Sequence, residues 1–84
     1  GLVSELVDDD QLDVAVATLA ARIARGPALA LSQTKSLLTR ELDMSLSASL
    51  ELDAMTQALL MTTDDHAEFH AAFNAGRAPA WKGQ

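Results

Sequence analysis

Cysteine and tyrosine are absent from these 84 residues, which hold two prolines, four glycines, one tryptophan and two phenylalanines. Without cysteine there is neither a disulfide framework nor a thiolate metal site, which fits a reducing compartment. No apolar run approaches the roughly 18 residues of a membrane span, and no basic-then-apolar leader precedes the first helix. The expectation is a soluble, cytoplasmic chain with no membrane partner. Basic residues are scarce as well, six against twelve acidic ones, for a formal charge of -6. They are scattered as Arg22, Arg25, Lys35, Arg40, Arg77 and Lys82, so the clustered cations of a nucleic-acid surface are missing.

What is present is apolar but small. Hydrophobic residues make up 49% of the chain, yet sixteen of its residues are Ala, so each buried position contributes little transfer free energy. A single domain over residues 1–84 is expected. At this length it buries roughly 60–65% of the surface its unfolded form exposes, and such a core calls for help from a partner. The chain starts at Gly1 rather than Met, in what reads as a strand, which suggests excision from something longer.

The pattern along the chain predicts an all-α fold, a small bundle of about four helices preceded by a short strand-like segment. "GLVSELV" is β-prone and is stopped by Asp8-Asp9-Asp10, and a single strand has nothing within itself to pair with. Asp10 reads as an N-cap with Asp13 in a box-like position, followed by Leu12, Val16, Leu19 and Ile23 at helical spacing. Gly26 ends that helix and Pro27 starts the next at N1. The second helix, about 27–42, places Leu31, Leu38 and Leu42 near one face, with Ala30, Thr34 and Leu37 beside them. Asp43 and Ser45 supply a break and a cap.

A third helix, about 46–61, carries two apolar stripes, Leu50, Ala54, Ala58 and Met61 on one side and Leu52, Met55 and Leu59 on the other. One face suits the chain's own bundle and the other a different subunit or domain. Thr62 or Thr63 caps a fourth helix that opens on Asp64 and Asp65 and runs through Phe69, Ala72 and Phe73 to Gly76. Pro79 then prevents continuation.

Few residues suggest chemistry. His66 and His70 share a helix face at a spacing that zinc sites use, but the H-E-x-x-H signature is absent and no third ligand is placed, so no metal site is assigned. No Ser stands in a G-x-S-x-G elbow, the carboxylates sit where helix capping explains them, and there is no Gly-rich phosphate loop. Composition and spacing assign no catalytic residue.

The closing stretch "AAFNAGRAPAWKGQ" differs from the rest. Phe73, Arg77, Trp81 and Lys82 follow one another there with no carboxylate side chain after Glu68. Planar rings with cationic donors suit stacking on a purine and pairing with phosphates. On sequence alone an anchor is the more usual role for aromatic residues near a chain end, with Phe73 and Trp81 packed on the bundle and the two cations in water.

The order of these segments resembles the C-terminal third of the enoyl-CoA hydratase/isomerase (crotonase) superfamily. "GLVSELVDDDQL" looks like that family's last strand and acidic turn. "LAARIARGPALALSQTKSLL" looks like its L-A-x-x-I-A-x-x-P-x-A-L-x-x-T-K stretch, and the chain from Leu50 onward follows its closing helices and K-R-x-P-x-F-x-G ending. The resemblance implies the helical subdomain of a crotonase-like αβ fold, built into a trimer or hexamer. It implies a parent enzyme that takes a coenzyme A thioester as substrate, polarised in an oxyanion hole of backbone N–H groups. It places no catalytic residue and no cofactor in this chain, and makes Phe73, Arg77, Trp81 and Lys82 the edge of a CoA site. Gly76 stands where the first basic residue of the ending is usual, and Phe69 where a Gly commonly follows the helical Glu. Two readings stay open: a helical piece of an acyl-CoA enzyme that serves subunit assembly and closure of the acyl-CoA site, or an autonomous helical interaction module with no enzymatic parent.

Overall fold

The computed structural model describes residues 1–84 and contains four α-helices: α1 (Leu12–Ala24), α2 (Ala28–Glu41), α3 (Leu46–Leu60) and α4 (Asp64–Ala75). The all-α expectation of about four helices holds. No strand forms. Residues 1–7 take no regular structure and leave Leu2, Val3 and Leu6 exposed, because a β-prone segment needs a second strand to receive its hydrogen bonds and the chain supplies none.

Local chemistry sets most helix ends. Ser45 accepts a hydrogen bond from the Ala48 N–H and caps α3, and Thr63 accepts one from the His66 N–H and caps α4. Gly76 ends α4 in the left-handed region at φ 63°, where a Cβ is strained. Two expectations shift. Asp10 does not cap α1, since Asp9–Gln11 form a 3-10 turn that Asp8 opens, and Gln11 precedes α1; a residue already inside the turn lacks the extended backbone that a cap needs. Pro27 is not the first helical residue either. At ψ 108° it stays extended and caps α2 from one position before it.

Between them, Gly26 lets the chain double back: a Cβ there would lie 3.0 Å from Leu31 Cδ1 and 3.2 Å from the Ile23 carbonyl oxygen. The axes on either side of this corner diverge by 112°. That swings α1 away from the other helices, and its expected core positions Leu12, Val16, Leu19 and Ile23 all remain exposed.

The one extensive contact between long helices joins α2 and α3. The face they share is rotated from the one the apolar pattern marks. Ala30, Gln33 and Leu37 on α2 and Leu52, Thr56 and Leu60 on α3 are half-buried, whereas Leu38, Leu42, Leu50, Met55, Leu59 and Met61 face outward. Of the two stripes expected on α3, only Leu52 is partly covered. The reason is architectural. The molecule is flat, 18 Å in its shortest dimension and 43 × 39 Å across, and α2 and α3 are the one pair of long helices in extensive contact. A single layer of helices encloses no core, and Ala72 and Asp65 are the only buried residues. The radius of gyration, 16.2 Å, accordingly exceeds the ~12 Å of a compact chain of this length.

Candidate functional site

After Gly76 the tail turns and runs back along α4 toward that helix's own N-terminus, and two carboxylates one helical turn apart receive it. Glu68 comes first. Its carboxylate takes both Nη groups of Arg77, with Nη2 to Oε2 at 2.9 Å, and Oε1 also accepts the Ala80 N–H at 2.7 Å. A two-pronged, charge-assisted contact of this kind is the strong form of an ion pair. It holds the Glu68 carboxyl down from 4.5 to about 2, chiefly through the Arg77 hydrogen bonds, then the Ala80 N–H, against some desolvation. The same contact raises Arg77 above its ordinary value.

Asp65 comes second. It is 5% exposed, and each of its oxygens accepts one tail N–H, Oδ1 from Lys82 at 2.6 Å and Oδ2 from Gly83 at 2.9 Å. Its own N–H donates to the Gln84 carbonyl at 3.1 Å. A buried charge is tolerable only with such partners. Beside it, Lys82 Nζ reaches Asp64 Oδ2 at 3.1 Å across an exposed surface, an ion pair that contributes little.

Between these two seats the Trp81 side chain sits where α2, α3 and α4 come together. It borders a concavity of about 200 Å³ lined also by Pro27, Leu29, Leu60, His66 and Phe69. On the far side of the tail, a Cβ placed on Gly83 would lie 3.7 Å from Ala28 Cβ, so the last residues touch the start of α2.

The four residues marked in the sequence therefore do not converge on one point. Trp81 is an anchor, half-buried in the groove. Arg77 is committed to Glu68, and Lys82 is partly committed to Asp64. Phe73 is the most open of them at 75% exposure, stacked loosely on Phe69 with ring centroids 6.2 Å apart. The sequence reading missed Asp65 and Glu68, which had an ordinary explanation at a helix start. The available signal was complementarity, since acids three apart precede a tail that holds cations and no acid.

His66 and His70 also meet, Nε2 to Nε2 at 3.3 Å, a hydrogen-bond distance at which the tautomers decide which ring donates. No group of three or more His, Cys, Asp or Glu side chains that could hold a metal ion forms anywhere in the chain. Nor does any single helix have the length and apolarity to cross a membrane.

Comparison with known proteins gives this geometry its context. Residues 1–84 match the family model described as Enoyl-CoA hydratase/isomerase. The chain superposes with a TM-score of 0.92 on a structure from Streptomyces coelicolor A3(2) assigned as an enoyl-CoA hydratase, 62% identical, covering 100% of this chain and 30% of that one. An enoyl-CoA hydratase/isomerase from Mycobacterium paratuberculosis gives 0.88 at 27% identity, covering 100% of this chain and 33% of the other. A third structure, assigned to the same activities in Mycobacterium abscessus, gives 0.79 at 30% identity, with 98% and 32% covered. The chain thus spans about a third of the length of these relatives.

Proposed function

The chain belongs to the enoyl-CoA hydratase/isomerase family, and from that premise we propose that it is the helical part of an acyl-CoA enzyme, serving subunit assembly and closure of the acyl-CoA site. The observation that carries this reading is the imbalance of its surface. Eighteen large apolar side chains are exposed and Ala72 is the single buried apolar residue, far more apolar surface than a free-standing domain leaves open. A single layer of helices with apolar groups on both sides is suited to lie between two bodies. One would be the rest of its own polypeptide and the other a neighbouring subunit in a trimer or hexamer.

Within that assembly the tail supplies the edge of the CoA site. The open ring of Phe73 is suited to a purine face, and Lys82, with two ammonium protons beyond its contact to Asp64, to a phosphate. Arg77 and Trp81 keep the edge in place. Catalysis falls to residues of the parent outside this segment, which would polarise the thioester carbonyl with backbone N–H groups.

Sedimentation equilibrium of the 84-residue chain, with binding of an apolar dye, tests the assembly role. Concentration-dependent association with dye binding is expected, and a strictly monomeric chain that binds no dye would overturn it. For the CoA edge, Phe73→Ala in the full-length enzyme is expected to raise KM for acyl-CoA by roughly tenfold, a loss of ~1–3 kcal/mol of base stacking, with kcat little changed. An unaltered KM would remove Phe73 from the site.

A further inference from the structure

α4 has no extensive interface with any other helix, since α2 and α3 pair with each other and leave it out. Apart from the short turn at Thr63 that joins it to α3, its link to the α2–α3 pair runs through the tail. Residues 77–84 are hydrogen-bonded to α4 through Glu68 and Asp65, Trp81 lines one concavity with Leu29 of α2, Leu60 of α3 and Phe69 of α4, and Gly83 lies against Ala28 at the start of α2. We propose that residues 77–84 form a two-state strap whose seated state fixes α4 on the α2–α3 pair, with Asp65 as the positioning residue on which it closes.

The chemistry of the seat makes the strap cooperative. Asp65 is the one buried charged residue, and both of its oxygens are satisfied only by tail N–H groups. Releasing one of them leaves a buried carboxylate oxygen unpaired, which is costly. Releasing the whole tail rehydrates it. Intermediate positions are therefore disfavoured, and the strap leaves or seats as a unit. The outer contact at Asp64 is exposed and contributes little, while the two-pronged Glu68–Arg77 pair adds to the seated state. Against them stands the backbone entropy of ordering an irregular tail, which keeps the two states close enough in free energy to exchange, as expected of a local unfolding unit.

Unseating has a defined result. Trp81 leaves the groove between α2, α3 and α4, and α4 loses its link to α2, so Phe69 and Phe73 no longer hold a fixed position relative to the other helices. If the CoA edge proposed above is correct, on which only this consequence rests, the strap also sets how tightly acyl-CoA is held.

Hydrogen exchange on the 84-residue chain tests the strap directly, with its sole tryptophan as a second probe. Asp65→Asn puts an amide donor against the tail N–H groups, Trp81→Ala empties the groove, and truncation after Arg77 removes the rest of the strap while keeping the Arg77 N–H on the Ala72 carbonyl that closes α4. Each is expected to speed exchange of α4 amides by about tenfold or more while α2 and α3 keep their protection, and Asp65→Asn is expected to shift Trp81 emission to the red. Trp81→Phe is expected to restore protection. Unchanged exchange in α4, an equal loss in all three helices, or a Trp81→Phe variant as open as Trp81→Ala would each overturn the strap. Measuring KM for acyl-CoA separates the two ideas: a freed α4 with an unchanged KM leaves the strap standing and removes the CoA edge.

Discussion

The Glu68 carboxylate holds the guanidinium of Arg77, nine residues further along, by two hydrogen bonds, and uses Oε1 again for the Ala80 N–H. Its carboxyl is lowered from 4.5 to about 2 mainly by those Arg77 bonds. A folded value below the unfolded one means that the group's contribution is complete above 4.5 and declines as pH falls, to vanish near 2. Arg77 is raised and stays charged throughout, so the pair adds no alkaline limb. Tail docking read by Trp81 fluorescence is expected to be flat from neutrality to about pH 5 and to weaken below it. In Glu68→Gln the part of this acid limb that belongs to the pair disappears, and an unchanged limb would assign the acid sensitivity to other carboxylates.

Thr63 does more than Ser45 although both are caps. Ser45 accepts from the Ala48 N–H at 3.3 Å and shares a hydrogen bond with Ser47 Oγ at 3.2 Å, both confined to the start of α3. Thr63 accepts from the His66 N–H at 3.2 Å and also donates to the Leu60 carbonyl at 2.7 Å, tying the end of α3 to the start of α4. Losing a cap of this type costs about 1 kcal/mol. Ser45→Ala is expected to lose about that much in urea denaturation, Thr63→Ala more, and Thr63→Ser very little.

Gly76 carries a backbone constraint with no packing attached. At φ 63° it is left-handed, and a Cβ there would meet nothing within 4 Å. The cost of Gly76→Ala is therefore conformational alone, ~1–2 kcal/mol, and Gly76→Asn should cost less. The same argument covers Gly76→Lys, which restores the basic residue that the family resemblance leads one to expect at this position. It is expected to destabilise like Gly76→Ala unless α4 extends by a turn and repositions Arg77. Circular dichroism against thermal denaturation distinguishes these outcomes.

How legible all this was depends on the range of the interaction. Ser45, Thr63, the Gly26–Pro27 corner and Gly76 act within a few residues, so their chemistry shows in the sequence, and the helix count followed from them. The faces of the helices did not. A periodic apolar stripe says which side wants covering without saying what covers it, and in a single layer Leu50, Met55 and Leu59 stay uncovered. The seat at Asp65 was hidden for another reason. Its partners are backbone N–H groups at Lys82 and Gly83, and a backbone donor leaves no trace in residue identity. Only the cations of the tail hinted at it.

Those uncovered faces allow a last prediction that separates a buried role from an exposed one. In the 84-residue chain, Leu50 and Met55 are exposed and make no core contact, so Leu50→Gln and Met55→Gln should change its stability by no more than about 0.5 kcal/mol and improve its solubility. If the faces are covered in the parent enzyme, the same substitutions there remove ~1.5–3 kcal/mol of transfer free energy per buried side chain, and the assembly should dissociate at higher concentration. A substitution that is silent in the 84-residue chain and damaging in the proposed parent acts through a surface that the chain by itself does not cover. Equal behaviour in both, measured by denaturation and sedimentation side by side, would mean that α3 faces water in the enzyme as well, and that its apolar stripes serve neither the rest of the fold nor a neighbouring subunit.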